Sequence, residues 1–174
     1  MVTRTNKGTR VDQEKQYEND YKEFIELLNK HNVEYMIVGA YAVMFHTHIA
    51  RATEDIDFWI NRTKENAERF AKVVKEFSGM NIDPNGMLLE NRMIQIGVTP
   101  HRIDIFNKQG DILFQEAYAR NKEGNFREVK ATYLSQKDLL ALKEHFHRDQ
   151  DIKDIKRLRK TEEEQNTKSR GQHR

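Results

Sequence analysis

The stretch MIVGAYAVMFHTHIARATEDIDFWI, residues 36–60, sets two carboxylates, Asp55 and Asp57, inside an apolar run that otherwise reads as a buried β-strand. Side chains alternate faces along a strand, so Asp55 and Asp57 project from one side, about 6.5 Å apart along the chain at roughly 3.3 Å rise per residue. Ile56, Phe58 and Ile60 take the other face. Two like charges repel by about 4 kcal/mol at roughly 4 Å and an effective dielectric of about 20. A strand that carries both therefore needs a cation or a raised pKa, and a divalent metal is the usual solution.

Earlier in the same stretch, residues 33–38 read as a short apolar strand that ends at Gly39-Ala40, and residues 40–46 read as a helix entered directly from it. Such a turn presents free backbone N–H groups and the positive end of the helix dipole, a ready site for phosphate, and bulk there would block the approach. Downstream, RIDIF at residues 102–106 again places one acid, Asp104, in an apolar strand. Its plain reading is an edge carboxylate paired with Arg102 or another base. Taken with the first pair, three acids on strands about 4.8 Å apart can form one cluster. Metals about 3.5–4 Å apart in such a cluster activate an attacking hydroxyl and stabilise a leaving pyrophosphate oxygen. Magnesium suits carboxylates combined with substrate phosphates, with manganese as its substitute.

The remaining pattern surrounds these strands with helices. Tyr21, Phe24, Ile25, Leu27 and Leu28 recur at helical spacing and stop at residues 29–32. Asn61 and Thr63 offer N-caps for a helix through Phe77, and Asp83-Pro84-Asn85-Gly86 signals a turn. Residues 93–98 and 102–106 flank an expected hairpin turn at Thr99-Pro100-His101, and one further strand is expected at 126–133 after Gly124-Asn125. Ser135 caps a helix to about Phe146, and a last helix runs from Asp149 or Gln150 to about Lys160. The expected organisation is a flexible segment at 1–16, one α+β (mixed α/β) domain at 17–160, and a disordered polar tail at 161–174.

Composition bounds the function. A chain of 174 residues builds one ordinary domain, and 30 basic against 28 acidic residues is too balanced for general nucleic-acid binding. The absence of cysteine excludes disulfides and thiolate zinc sites. No apolar run approaches the roughly 20 residues of a membrane span and no signal-peptide core opens the chain, so a cytoplasmic protein is expected.

Val38-Gly39-Ala40, the helix that follows, Asp55-Ile56-Asp57 and the later Asp104 together resemble the nucleotidyltransferase superfamily related to DNA polymerase β. There, Gly-Ser or Gly-Gly precedes Asp-x-Asp/Glu and a third acid. RATEDID at residues 51–57 is similar to the compact bacterial branch of AbiEii-type toxin enzymes and antibiotic nucleotidyltransferases, where Arg-x-Thr-x-Asp-x-Asp is common. Lys143, Arg148, Asp151 and Asp154 fall at that branch's Lys-x4-Arg-x2-Asp-x2-Asp spacing.

The resemblance implies a small mixed sheet flanked by helices, with the C-terminal helices packed beside the site. It implies transfer of a nucleoside monophosphate from an NTP to a hydroxyl or phosphate of tRNA, a protein or a small molecule, with release of pyrophosphate. A toxin of this kind has an antitoxin partner. Asp55, Asp57 and Asp104 would bind magnesium, with Asp104 helping to deprotonate the acceptor. Gly39 and Ala40 would hold the triphosphate, Arg51 and Thr53 would touch phosphate, Lys143 would contact phosphate or base, and Asp151 would support the site. Ala40 departs from the usual Ser or Gly, which keeps open a catalytically silent nucleotide- or partner-binding descendant. A glycosyltransferase using Asp-x-Asp shares the local signature.

Plainer readings stand beside these. Lys143 reads equally as a solvent-facing lysine on an amphipathic helix, and Arg148, Asp151 and Asp154 as a helix-stabilising ion-pair set. His46 and His48 are a weak metal pair, Trp59 reads as core, and the basic last helix reads as an RNA surface or a solvated face.

Overall fold

The computed structural model describes the backbone over residues 10–171 and side chains over residues 18–170. Helix α1 (Arg10–Lys30) leads into strand β1 (Tyr35–Val38), helix α2 (Gly39–Thr47) and strand β2 (Asp55–Ile60). Helix α3 (Lys64–Ser78) and a 3-10 turn at Pro84–Leu88 precede β3 (Met93–Ile96), β4 (Arg102–Phe106) and a short helix α4 (Phe114–Ala119). The chain closes with β5 (Lys122–Phe126), β6 (Val129–Tyr133), α5 (Gln136–Phe146) and α6 (Asp149–Gly171). The strands form one mixed sheet in the order β3-β4-β2-β1-β6-β5, an α+β architecture with helices flanking it, as expected.

Register positions the acids. β2 runs antiparallel to β1, with Val38 opposite Asp57, and parallel to β4, with Asp57 opposite Asp104 and Asp55 opposite Arg102. Partnered residues share a sheet face. One row therefore crosses the sheet through Val38, Asp57, Asp104 and, on antiparallel β3, Gln95. The opposite face of β2 is apolar: Phe58 meets Phe24 of α1 with ring centroids 5.2 Å apart, and Phe24 in turn meets Phe77 of α3 at 5.1 Å. Trp59, on the carboxylate face but two residues deeper, is buried against Phe114 of α4 with centroids 5.2 Å apart, a core role as expected.

Several boundaries differ from the sequence reading. α1 starts at Arg10, so residues 10–16, expected within the flexible segment, are helical in backbone. Residues 1–9 lie outside the described residues. The expected strand at 126–133 is instead the hairpin β5–β6, turning at Arg127, whose φ is 54°, between the paired Phe126 and Val129. Gly124 and Asn125 lie within β5. A Cβ on Gly124 would sit 2.3 Å from the ring of Phe45, so that glycine serves close packing and not a turn. α4 was not expected because its N-cap, Leu113, makes no side-chain cap. The expected tail is helical through Gly171, since α6 continues with exposed helix formers and an i,i+4 pair of Lys160 and Glu164 at 4.0 Å. Only residues 172–174 of that tail lie outside the described residues.

Candidate active site

A cavity of about 750 Å³ opens over the carboxylate face, between the β2 and β4 acids, the start of α2, and α5 with the beginning of α6. Asp55, Asp57 and Asp104 all line it, and each offers a carboxylate oxygen within 4.8 Å of the others. The three acids expected to cluster are thus brought together, because β2 and β4 are neighbours in register. Asp104 is 4 % exposed. Burial, then the charges of Asp55 and Asp104, push the Asp57 carboxyl up to about 7, and Lys143 and Arg148 pull in the other direction. Hard oxygen donors this close, at a site where burial and like charge both oppose a second and third bare carboxylate, fit a magnesium- or manganese-sized cation.

Gly39 opens α2 with φ at 61°, in the left-handed region. A Cβ there would sit 2.0 Å from Asp57 Oδ2, so any side chain would collide with the carboxylate. The glycine thereby lets the start of α2 lie directly against the triad, with Ala40 beside it on the cavity wall. No side chain caps this helix start. Thr53 donates from Oγ1 to Asp55 Oδ1 at 3.1 Å and so fixes that carboxylate.

A second charged cluster forms where α5 and α6 meet the loop before β2. Lys143 is 5 % exposed, its Nζ lying 3.0 Å from Asp151 Oδ1 and 2.9 Å from Asp154 Oδ2. It is therefore not the solvent-facing lysine of the plain reading. Arg51 Nε reaches Asp154 Oδ1 at 3.2 Å across some hundred residues of sequence, and Arg148 Nε reaches Asp151 Oδ2 at 2.8 Å. Burial pushes Asp151 up, but hydrogen bonds from Arg148 and Lys143 outweigh it and leave the carboxyl below its ordinary value. Arg51, Lys143, Arg148 and Asp151 all border the cavity. The four motif residues Lys143, Arg148, Asp151 and Asp154 thus form an ion-pair set, and all of them except the fully buried Asp154 also wall the site.

Two residues gained weight only in three dimensions. Arg102 clamps Asp104 and also reaches Asp55; its i,i+2 spacing to Asp104 on one strand was the visible signal. Asp154 is fully buried and ties Arg51 to Lys143, a link with no local sequence signature. The two histidines do not gather ligands: His46 Nε2 lies 2.7 Å from the Leu134 carbonyl, and His48 is the left-handed C-cap of α2.

Comparison with known proteins agrees with the fold. A structure of the lincosamide antibiotic adenylyltransferase LnuA with lincomycin bound superposes with a TM-score of 0.51 at 18% identity, covering 81% of this chain and 95% of that one. An antigenic nucleotidyltransferase-like protein from Paracoccidioides brasiliensis gives a TM-score of 0.52 at 17% identity, covering 81% of this chain and 75% of that one. At these identities the likeness concerns the fold. No curated protein matches the sequence. The pattern of the family described as "Nucleotidyl transferase of unknown function (DUF2204)" matches residues 17–171, and the chain belongs to that nucleotidyl transferase family.

Proposed function

We propose that this protein transfers a nucleoside monophosphate from an NTP to an acceptor hydroxyl or phosphate, releasing pyrophosphate, with magnesium or manganese as cofactor. The observation that supports it best is the meeting, in one cavity, of three carboxylates within 4.8 Å and a helix start that Gly39 keeps bare. Asp55, Asp57 and Asp104 would hold the metal, which when bound supplies charge neutralisation for the reacting phosphoryl group. The backbone N–H groups at the start of α2 receive the triphosphate. Thr53 keeps Asp55 aimed into the cavity, and the buried pairs of Arg51 and Lys143 hold α5 and α6 as its far wall. The acceptor oxygen attacks the α-phosphorus, its proton passes to Asp104, and the bond to the β-phosphate breaks with pyrophosphate as leaving group. Positioning and charge carry the reaction, with no covalent enzyme intermediate.

The test is incubation of the full chain with each labelled NTP, magnesium or manganese, and three acceptor classes: total tRNA, protein, and small hydroxylated molecules such as lincosamides. Pyrophosphate release that is lost in Asp57→Asn is the expected result. Turnover by neither protein, or equal turnover by both, overturns the reading. The second reading, a silent nucleotide-binding member, is favoured by Ala40 and by the engagement of Asp55 and Asp104 with Arg102. It predicts NTP binding without pyrophosphate release. Membership in the family leaves the Asp-x-Asp glycosyltransferase reading without support.

A further inference from the structure

Arg102 stands two residues before Asp104 on β4 and opposite Asp55 on β2, so its side chain rises on the face of the triad. Its Nε donates to Asp104 Oδ1 at 2.6 Å and its Nη2 to Asp104 Oδ2 at 2.7 Å, a two-pronged grip on one carboxylate. The same Nη2 donates to Asp55 Oδ2 at 3.1 Å. One guanidinium therefore draws together two of the three acids whose oxygens lie within 4.8 Å of one another. A cation gathered by the triad draws on the same two carboxylates.

A guanidinium keeps its charge throughout the physiological range, so it leaves these acids only by moving, not by losing a proton. Its surroundings permit the movement. The Arg102 side chain is 28 % exposed, whereas both partners of the Lys143 and Asp154 pair are sealed. Its third nitrogen, Nη1, already lies 3.4 Å from Thr99 Oγ1 on the exposed side. The clamp thus has a second partner outside the triad.

We propose that Arg102 is the triad's own counter-cation, that it competes with divalent metal for Asp55 and Asp104, and that metal loading turns it outward toward Thr99. The proposal rests on the reading of the triad as a metal site. Competition keeps the three acids gathered while holding affinity for a bare metal ion low. An NTP offsets that competition, because its phosphates add ligands for the metal and an anionic partner for the displaced guanidinium. Arg102 is in these terms a positioning residue that couples metal entry to nucleotide entry.

The experiment is titration of the full chain with Mn²⁺ alone, free Mn²⁺ being read by electron paramagnetic resonance, for the wild type, Arg102→Gln, Arg102→Lys and Asp57→Ala. Removal of a nearby positive charge makes Arg102→Gln bind Mn²⁺ about tenfold tighter or more, with Arg102→Lys in between. A role confined to holding Asp104 in shape predicts the opposite sign. Equal or weaker Mn²⁺ binding by a folded Arg102→Gln, beside intact wild-type binding that Asp57→Ala abolishes, overturns the competition and leaves the metal site standing. Should Arg102→Gln fail to fold, Arg102→Lys decides, and affinity at or below that of the wild type overturns the proposal. No Mn²⁺ binding by any of the chains, with ATP present or absent, overturns the competition and the metal site together.

Discussion

Two clusters of carboxylates border one cavity, and their charge balance is opposite. On β2 and β4, Asp55, Asp57 and Asp104 face Arg102, and the acids are in excess. Between α5, α6 and the loop before β2, Asp151 and Asp154 face Lys143, Arg51 and Arg148, and the bases are in excess. The carboxyl of Asp57 is pushed up to about 7, while that of Asp151 is held below its ordinary value. An acid surrounded by bases is finished structure, since a buried charge is tolerable only when paired. Acids surrounded by acids are an unfinished electrostatic arrangement, and a cation completes it. The contrast separates the part of the cavity that holds the molecule together from the part to which the proposed chemistry is assigned.

Breaking each cluster should therefore cost different things. Asp57→Asn removes a like charge from the triad, so nucleotidyl transfer falls by about a thousandfold or more while unfolding of the metal-free chain at pH 8 becomes no easier. Steady-state pyrophosphate release and thermal melting measure the two halves of that statement. Lys143→Met should do the reverse in emphasis. It leaves Asp151 with Arg148 alone and the fully buried Asp154 with Arg51 alone, at a cost of about 3 kcal/mol in urea unfolding, the low end for a broken buried pair because each acid keeps one base. The double change Lys143→Met with Asp154→Leu should recover much of that loss, and a loss unchanged in the double variant would show that the lysine matters for something other than this pair.

Gly39→Ala sharpens the boundary between the clusters. The new Cβ meets Asp57 Oδ2 at 2.0 Å and the backbone sits at φ 61°, so either the carboxylate turns away or the helix start shifts. We expect a stability loss of about 1–3 kcal/mol together with weaker nucleotide binding, measured by urea unfolding and by equilibrium titration with an NTP analogue.

The pH dependence has two signs. Asp57 is raised above its ordinary 3.8 to about 7, so the folded chain holds that proton more tightly than the unfolded chain. Its contribution is complete below about pH 4 and is lost as pH rises through about 7. Asp151 is lowered, so its contribution is present above the ordinary carboxylate range and is lost as pH falls through its depressed value. Melting of the metal-free wild type should decline between pH 5 and pH 8 by more than that of Asp57→Asn; equal slopes would remove Asp57 as the source. The smallest effect belongs to Thr53→Ala, which loses one hydrogen bond to Asp55 Oδ1 and should cost about 1 kcal/mol of stability with a severalfold fall in transfer.

Much of this arrangement was legible in local sequence because local rules govern it. Alternation along β2 sets Asp55 and Asp57 on one face whatever surrounds them, and a glycine at the end of an apolar strand marks a turn where a side chain does not fit. Ser135 and Thr63 announce their helices, and Asp83-Pro84 its turn, through capping chemistry that also needs no distant partner. The β5–β6 hairpin was misread because Gly124 is small for the sake of Phe45, and sequence does not say which space a glycine leaves open. The extent of α6 was misread because exposed polar residues are compatible with both helix and tail.

The chain by itself determined which residues are acidic, which face each takes and that Asp104 has a base two positions away. Only the tertiary structure decided that β2 and β4 run side by side with Asp57 opposite Asp104, and that Arg51 and Lys143 converge on Asp154. The reason is one of range. Strand alternation and capping act over a few residues, whereas the charge balance of a cluster depends on strand order and helix packing, which the whole core sets at once.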